Sequence, residues 1–185
     1  MDEKHKKRGR RSHLNDFHLN VAGEYVYDGS FFACRSSEES LRGSKRAVWI
    51  MAAALALAVV AGGCIPAPGM QNCFYVLLPY LGEFLGAGSV IWALVKLGTD
   101  WSAVREYNYK KSVAVLPVRT AVTAVFSLLG IVCELIFFFV NDHAGQTFFA
   151  LLYVLLKLIA LLSVLVLRAE IMQAEWDKLP KKDNF

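Results

Sequence analysis

Four apolar stretches, separated by polar segments, dominate the sequence. They cover residues 47–63, 74–97, 118–140 and 147–167. A helix of about 20 residues rises about 30 Å, which matches the hydrocarbon core of a bilayer. Apolar runs of that length are typical of transmembrane helices rather than of helices in a soluble core. We therefore predict an all-α membrane protein with four transmembrane helices.

The charged residues divide the chain into parts. They make up 19% of the chain, against 56% hydrophobic residues, a combination that is rare in a soluble domain and that excludes a disordered chain. We predict a basic N-terminal segment (residues 1–46), a transmembrane domain (residues 47–167) and a polar tail (residues 168–185). An ordinary single-core cytosolic enzyme is also excluded.

Short connections predict which helices are neighbours. Residues 64–73 link the first two spans and contain two prolines, and residues 141–146 link the last two. Short links make consecutive helices antiparallel. We predict two antiparallel helical hairpins, joined by the polar segment 98–116, that form a four-helix bundle.

The basic residues predict the orientation of the helices in the membrane. Nineteen of the 20 Lys and Arg residues lie before the first span, at or between the facing ends of the second and third, or after the fourth. The two short loops contain none. Since basic residues stay on the cytoplasmic side, both termini are predicted to be cytoplasmic in a multi-pass protein of the plasma membrane.

Two local patterns precede the first span. The β-prone runs on either side of Asp28-Gly29 predict a β-hairpin near residues 24–34, because this dipeptide favours a tight hairpin turn,. Residues 36–45 predict a short helix with a capping pattern, ended by Gly43,.

Small residues recur at helical spacing in the first two spans. Ala54, Ala58 and Gly62 form one smooth stripe, and Gly82 and Gly86 form another. Small residues allow the backbones of membrane helices to approach closely. We predict that these two faces pack against each other or against a partner.

Three ionisable residues lie inside the spans. Glu83 and Lys157 are each about ten residues from the outer end of their helix, or about 15 Å deep, close to the midplane,. Glu134 is about 9 Å from the outer end of the third span, within reach of a long lysine side chain. A charge in the bilayer centre costs about 3 kcal/mol or more if it faces lipid, so we predict that all three face inward.

Polar residues on the third span extend this group. Thr123, Ser127 and Glu134 share one helix face,. We therefore define an intramembrane polar cluster: Glu83, Thr123, Ser127, Glu134 and Lys157. It is either a structural clamp between helices or part of a proton- or cation-coupled pathway.

The cysteines favour a structural role over a chemical one. Cys64 and Cys73 both fall in the predicted outer loop, where a disulfide between them can persist,. Free thiols remain the alternative. The histidines show no ligand spacing with the cysteines, so no metal site is predicted,.

The sequence contains none of the common catalytic motifs. There is no Gly-rich phosphate loop, Ser-His-Asp arrangement or His-Glu-x-x-His pattern,. We predict no cofactor and a non-catalytic accessory, assembly or scaffold subunit, with a small proton- or cation-coupled transporter or channel as the alternative. The basic residues before the first span are expected to contact anionic lipid headgroups rather than nucleic acid. A membrane-protein partner or a homo-oligomer is the remaining expected contact.

Overall fold

A computed structural model describes residues 17–19, 25–27, 29–35, 37–141 and 147–179. This part of the chain is mostly helical, and four of its helices are long and apolar enough to cross a membrane. The prediction of four membrane-spanning helices is confirmed at this level.

The helices are α1 (Glu38–Cys64), α2 (Pro68–Asn72), α3 (Phe74–Leu97), α4 (Glu106–Lys111), α5 (Leu116–Val140) and α6 (Thr147–Gln173). The strands are β1 (Phe17–Leu19), β2 (Tyr25–Tyr27), β3 (Phe31–Cys34), β4 (Val104–Arg105) and β5 (Trp176–Leu179).

The first long helix begins earlier than the apolar pattern predicts. Helix α1 starts at Glu38, where the Ser37 side chain accepts a hydrogen bond from the Ser40 backbone N–H at 3.4 Å. It then continues through Gly43, so the prediction that Gly43 ends a separate short helix is wrong. A glycine inside a helix costs about 1 kcal/mol relative to alanine, which is too little to interrupt a continuous 27-residue helix,.

The strands pair differently from the predicted hairpin. Both β-prone runs near residues 24–34 form strands, and a small strand hairpin is present, but it joins β2 to β1 in antiparallel register. Strand β3 pairs with β4 and β5 instead. The predicted pairing between the two runs that flank Asp28-Gly29 is therefore wrong. A physical reason is that β3 gains partners elsewhere, including a ring stack of Phe32 on Tyr109 with centroids 4.2 Å apart.

A three-stranded sheet in the order β4-β3-β5 joins three segments that are distant in sequence. Its backbone contacts continue beyond the strands, since the Cys34 N–H donates to the Trp101 carbonyl at 3.0 Å. The ring of Trp101 is 2% exposed and lies 5.8 Å from that of Trp176. The segment before α1, the connection between α3 and α5 and the tail after α6 thus form one small layer.

The long helices pack in a definite order. Helix α1 packs chiefly against α6, α3 packs chiefly against α5, and α5 also packs against α6. Helices α1 and α3 contact each other to a smaller extent.

The outward faces of these helices are apolar. Large hydrophobic side chains are exposed on all four, for example Leu57, Leu85, Phe139 and Phe148. A contiguous apolar surface of this kind suits contact with lipid chains rather than with water.

Candidate functional site

The centre of the site is an ion pair between α3 and α6. Lys157 Nζ donates to Glu83 Oε2, and the Ser127 hydroxyl of α5 donates to Glu83 Oε1 at 2.6 Å. The Lys157 and Glu83 side chains are 3% and 0% exposed. Both carboxylate oxygens therefore have a donor, and three helices meet at one buried group.

Helical spacing places these groups on inward faces. On α3 the buried positions Val76, Pro79, Tyr80, Glu83, Ala87, Val90 and Leu94 recur every one to four residues along one side. On α6 the buried positions Ala150, Tyr153, Lys157, Ala160 and Val164 recur every three or four. A single helix face thus carries each charge into the interior.

Two aromatic rings enclose the lysine ammonium group. Lys157 Nζ lies 4.6 Å from the centroid of the Tyr80 ring and 5.1 Å from that of Tyr153. Rings at this distance attract a cation through their quadrupole, and the attraction is strongest where water is absent. A methyl group at Gly130 of α5 would lie 3.6 Å from the same nitrogen. The ammonium group is thus enclosed by side chains and backbone of α3, α5 and α6.

Tyr80 also links the site to α1. Its hydroxyl donates to the Val59 carbonyl at 3.3 Å. Gly63 lies against this hydroxyl so closely that a side chain there would collide with it. All four long helices therefore contact the Glu83–Lys157 pair directly or through one tyrosine.

Glu134 is buried at a separate level. It follows Ser127 by seven residues on α5, a rise of about 10 Å, and it is 0% exposed. Its carboxylate lies against Gly69 of α2, where a side chain would collide with it. Of the two acids that the sequence offers to Lys157, the structure pairs the lysine with Glu83.

Thr123 lies away from the charges. Its hydroxyl donates to the Arg119 carbonyl of its own helix at 2.8 Å, and its side chain contacts the backbone of α3 at Gly86. The five residues of the predicted polar cluster are all buried. The structure brings Glu83, Ser127 and Lys157 into contact, while Thr123 and Glu134 occupy levels on either side.

Glycines of α1 and α3 lie against side chains of α5 and α6. Gly82 and Gly86 of α3 lie against Phe126 and Thr123 of α5, and Gly62 of α1 faces Tyr153 of α6. On the same helix Ala58 is buried, and Ala54 is only half-buried. The glycines of the two small faces thus lie against α5 and α6, and packing of these faces against each other or against a partner stays a prediction.

All four cysteines are free thiols in this structure. Cys64 is exposed at the end of α1, and Cys73 is half-buried between α2 and α3. The structure does not contain the predicted disulfide. The disulfide stays a prediction for an oxidising compartment, and mass spectrometry of non-reduced peptides tests it. Among the described residues, no group of three or more His, Cys, Asp or Glu side chains could hold a metal ion.

Sequence reasoning misses the role of Tyr80 and Tyr153. Each tyrosine precedes an intramembrane charge by one helical turn, at spacings of three and four residues. Residues at these spacings are neighbours on a helix surface. This spacing is the signal by which the aromatic part of the site could be found.

Comparisons with known proteins give no relative for this site. No protein-family model matches the chain, nor does any curated protein or any solved structure.

Proposed function

We propose that the protein is a multi-pass integral membrane protein that acts as a non-catalytic accessory, assembly or scaffold subunit. In this proposal the Glu83–Lys157 pair holds the helices in register and the outer apolar faces meet lipid or a partner. The observation that carries the proposal is that the Glu83–Lys157 pair is buried and has its partners inside the chain.

The energetic balance favours a structural role for the pair. A single charge at the bilayer centre costs several kcal/mol, so an unpaired Glu83 or Lys157 would resist burial. In the structure the charges compensate each other, Ser127 supplies a further hydrogen bond, and two rings cover the ammonium group. A group with this many fixed partners is suited to positioning helices rather than to releasing a bound ion.

The helix contacts support an antiparallel bundle. Gly82 faces Phe126, Gly86 faces Thr123, and the Ser89 carbonyl accepts from Arg119. Residue numbers therefore rise on α3 as they fall on α5. Together with the two short loops, this supports a bundle of two antiparallel hairpins.

We further propose that both termini are cytoplasmic and that the membrane is the plasma membrane. The distribution of basic residues supports this orientation,. An impermeant thiol reagent added to sealed cells should label reduced Cys64 and Cys73 and should not label Cys34. Labelling of Cys34 from outside would overturn the orientation.

A small proton- or cation-coupled transporter is the second candidate. It is favoured by one observation, a second fully buried carboxyl group, Glu134, on the same inward face as Ser127. The Tyr153 hydroxyl is also buried, with no hydrogen-bond partner among the described residues. Buried ionisable and hydroxyl groups at different depths are the kind of groups that proton relays use.

A flux experiment separates the two candidates. The purified protein is reconstituted into liposomes that contain a pH-sensitive dye, and a proton gradient is imposed. If the protein is an accessory subunit, vesicles that contain the wild type should lose the proton gradient no faster than protein-free vesicles. Vesicles that contain Glu134→Gln should behave in the same way. Gly88→Ala is the matched control, because a methyl group there meets open space. A leak that the wild type and Gly88→Ala share and that Glu134→Gln abolishes would overturn the accessory role in favour of transport.

A subunit role also predicts an assembly. Partners are proposed to be anionic lipid at the basic N-terminal segment and either a membrane-protein partner or further copies of this chain. The protein extracted in mild detergent should then migrate as a complex larger than one chain with its detergent. A strictly monomeric protein in both mild detergent and lipid nanodiscs would count against it.

A further inference from the structure

A cluster of cationic and aromatic side chains lies where α3 ends and α5 begins. Arg119, in the first turn of α5, reaches across to α3 and donates from Nη1 to the Ser89 carbonyl at 2.7 Å. On α3, Trp92 and Lys96 follow Ser89 by three and seven residues, so all three share one helix face,. We name Ser89, Trp92, Lys96 and Arg119 the boundary site.

The exposed groups of the boundary site are arranged for an amphiphilic ligand. Lys96 Nζ lies 5.2 Å from the centroid of the Trp92 ring, and the Trp92 side chain is 60% exposed. Lys96 is exposed and Arg119 is half-buried. Lys96 Nζ and the Trp92 ring thus lie on the α3 face whose Ser89 carbonyl accepts the hydrogen bond from Arg119 of α5.

The two cations have donors to spare. Within the described residues the ion pairs join Arg35 to Asp177, Lys110 to Glu106 and Lys157 to Glu83. In that part of the chain neither Lys96 nor Arg119 has a carboxylate within 4 Å. A guanidinium group has five N–H donors, and Arg119 uses one of them on Ser89,. The others are left for a ligand with several acceptor oxygens.

The depth of the site matches a lipid headgroup. From Arg119 to the end of α5 at Val140 the helix rises about 32 Å, the thickness of a hydrocarbon core,. Arg119 therefore lies at one boundary of the core, at the level where tryptophan prefers to sit. Arginine binds phosphate through two parallel hydrogen bonds, and basic sites between membrane helices select anionic headgroups.

We propose that the boundary site binds the phosphate group of an anionic phospholipid. Arg119 and Lys96 contact the phosphate oxygens, and Trp92 covers the glycerol and ester region. The inference rests on the proposed insertion of α3 and α5 in a membrane. The site lies on these two helices and is separate from the basic N-terminal segment.

Native mass spectrometry of the full chain in detergent tests the proposal, with phosphatidylglycerol and phosphatidylcholine as the two probes. The wild type should retain one tightly bound phosphatidylglycerol and should bind phosphatidylcholine at least tenfold more weakly. Arg119→Gln combined with Lys96→Gln should weaken phosphatidylglycerol binding tenfold or more. Arg42→Gln, which removes an exposed charge from α1, is the matched control and should change binding less than twofold.

Further arms address folding and the source of the phosphate. If the double variant is misfolded by circular dichroism, Lys96→Gln alone, an exposed position, should still weaken binding several-fold. Millimolar inorganic phosphate should not displace the lipid. Displacement would identify a free phosphate as the ligand and overturn the lipid assignment.

Failure of this inference is distinguishable from failure of the proposed function. Suppose that the protein floats with vesicles in a density gradient but binds both lipids equally, or that the double variant binds lipid like the wild type. Either result overturns the boundary site and leaves the membrane role in place. A protein that does not float with vesicles at all overturns both.

Discussion

The molecule contains one ion pair that is buried between helices and another that is exposed beside strands. The Glu83–Lys157 pair joins α3 to α6 in the interior, with both side chains at most 3% exposed. The Arg35–Asp177 pair joins the residue after β3 to β5 at 3.7 Å, with side chains 70% and 60% exposed. Two unit charges interact far more strongly in a low-dielectric interior than in water, and each costs far more to leave alone there.

The surroundings of the two pairs differ as much as their burial. Ser127, Tyr80 and Tyr153 fix the interior pair. Strands β3 and β5 are already paired through their backbones. Just beyond the paired residues, the Arg35 N–H donates to the Glu175 carbonyl at 2.9 Å. The interior pair thus determines how the helices meet. The exposed pair is added to a strand contact that the backbone of β3 and β5 already makes.

The largest expected effect is that of breaking the interior pair on one side. Lys157→Ala leaves the Glu83 carboxylate buried without its cation, so we expect a loss of about 1–3 kcal/mol in the free energy of unfolding. The measurement is unfolding in mixed detergent micelles. Combining Lys157→Met with Glu83→Gln should recover much of the loss, because removing both charges of a buried pair is often near neutral.

Two outcomes would contradict a purely structural role for the Glu83–Lys157 pair. If Lys157→Ala is as stable as the wild type in detergent and in lipid, then the lysine does not depend on its interior partner, and the clamp is wrong. If the double variant is folded but loses a flux that the wild type supports, the pair belongs to a transport pathway.

An intermediate effect is expected from the packing that brings α3 close to α5. A methyl group at Gly82 would lie 2.5 Å from the Phe126 ring. Gly82→Ala should therefore cost about 1 kcal/mol, the lower end of the usual cost of overpacking, because the ring belongs to a side chain that can shift. Gly88→Ala is the matched control on the same helix, because nothing lies within 4 Å of the added group. The same unfolding assay should separate the two. Equal stabilities would show that the helices separate slightly at no cost and do not hold the pair rigidly.

The smallest effect is expected at the exposed pair. Asp177→Asn should change the free energy of unfolding by less than about 1 kcal/mol, since exposed ion pairs contribute little and are screened by salt. Arg35→Gln and the double variant should give additive effects in the same assay. A coupling energy between them as large as that of the interior pair would show that burial does not set the difference between the two regions.

The bounds of α3 and the depths of the two paired charges follow from local properties of the sequence. The second span is predicted at residues 74–97, and α3 has these bounds because apolar length and the flanking Cys73 and Gly98 are local properties. The matched depths of Glu83 and Lys157 also follow from counting residues, since each helix rises by a fixed amount per residue. Burial of both follows from the cost of exposing a charge to lipid.

Which of these groups meet depends on contacts between segments that are distant in sequence. Lys157 on α6 pairs with Glu83 on α3 rather than with Glu134 on α5, although α6 packs against α5 and α1. Gly82 and Gly86 lie against α5, so the packing of α3 on α5 helps to place Glu83 beside the lysine. The strand pairing also depends on distant segments. Strand β3 contacts Trp101, Tyr109 and β5 rather than β2, its neighbour in sequence. Depth and amphipathicity are set residue by residue along a helix, whereas partners are set by the packing of segments far apart in the chain.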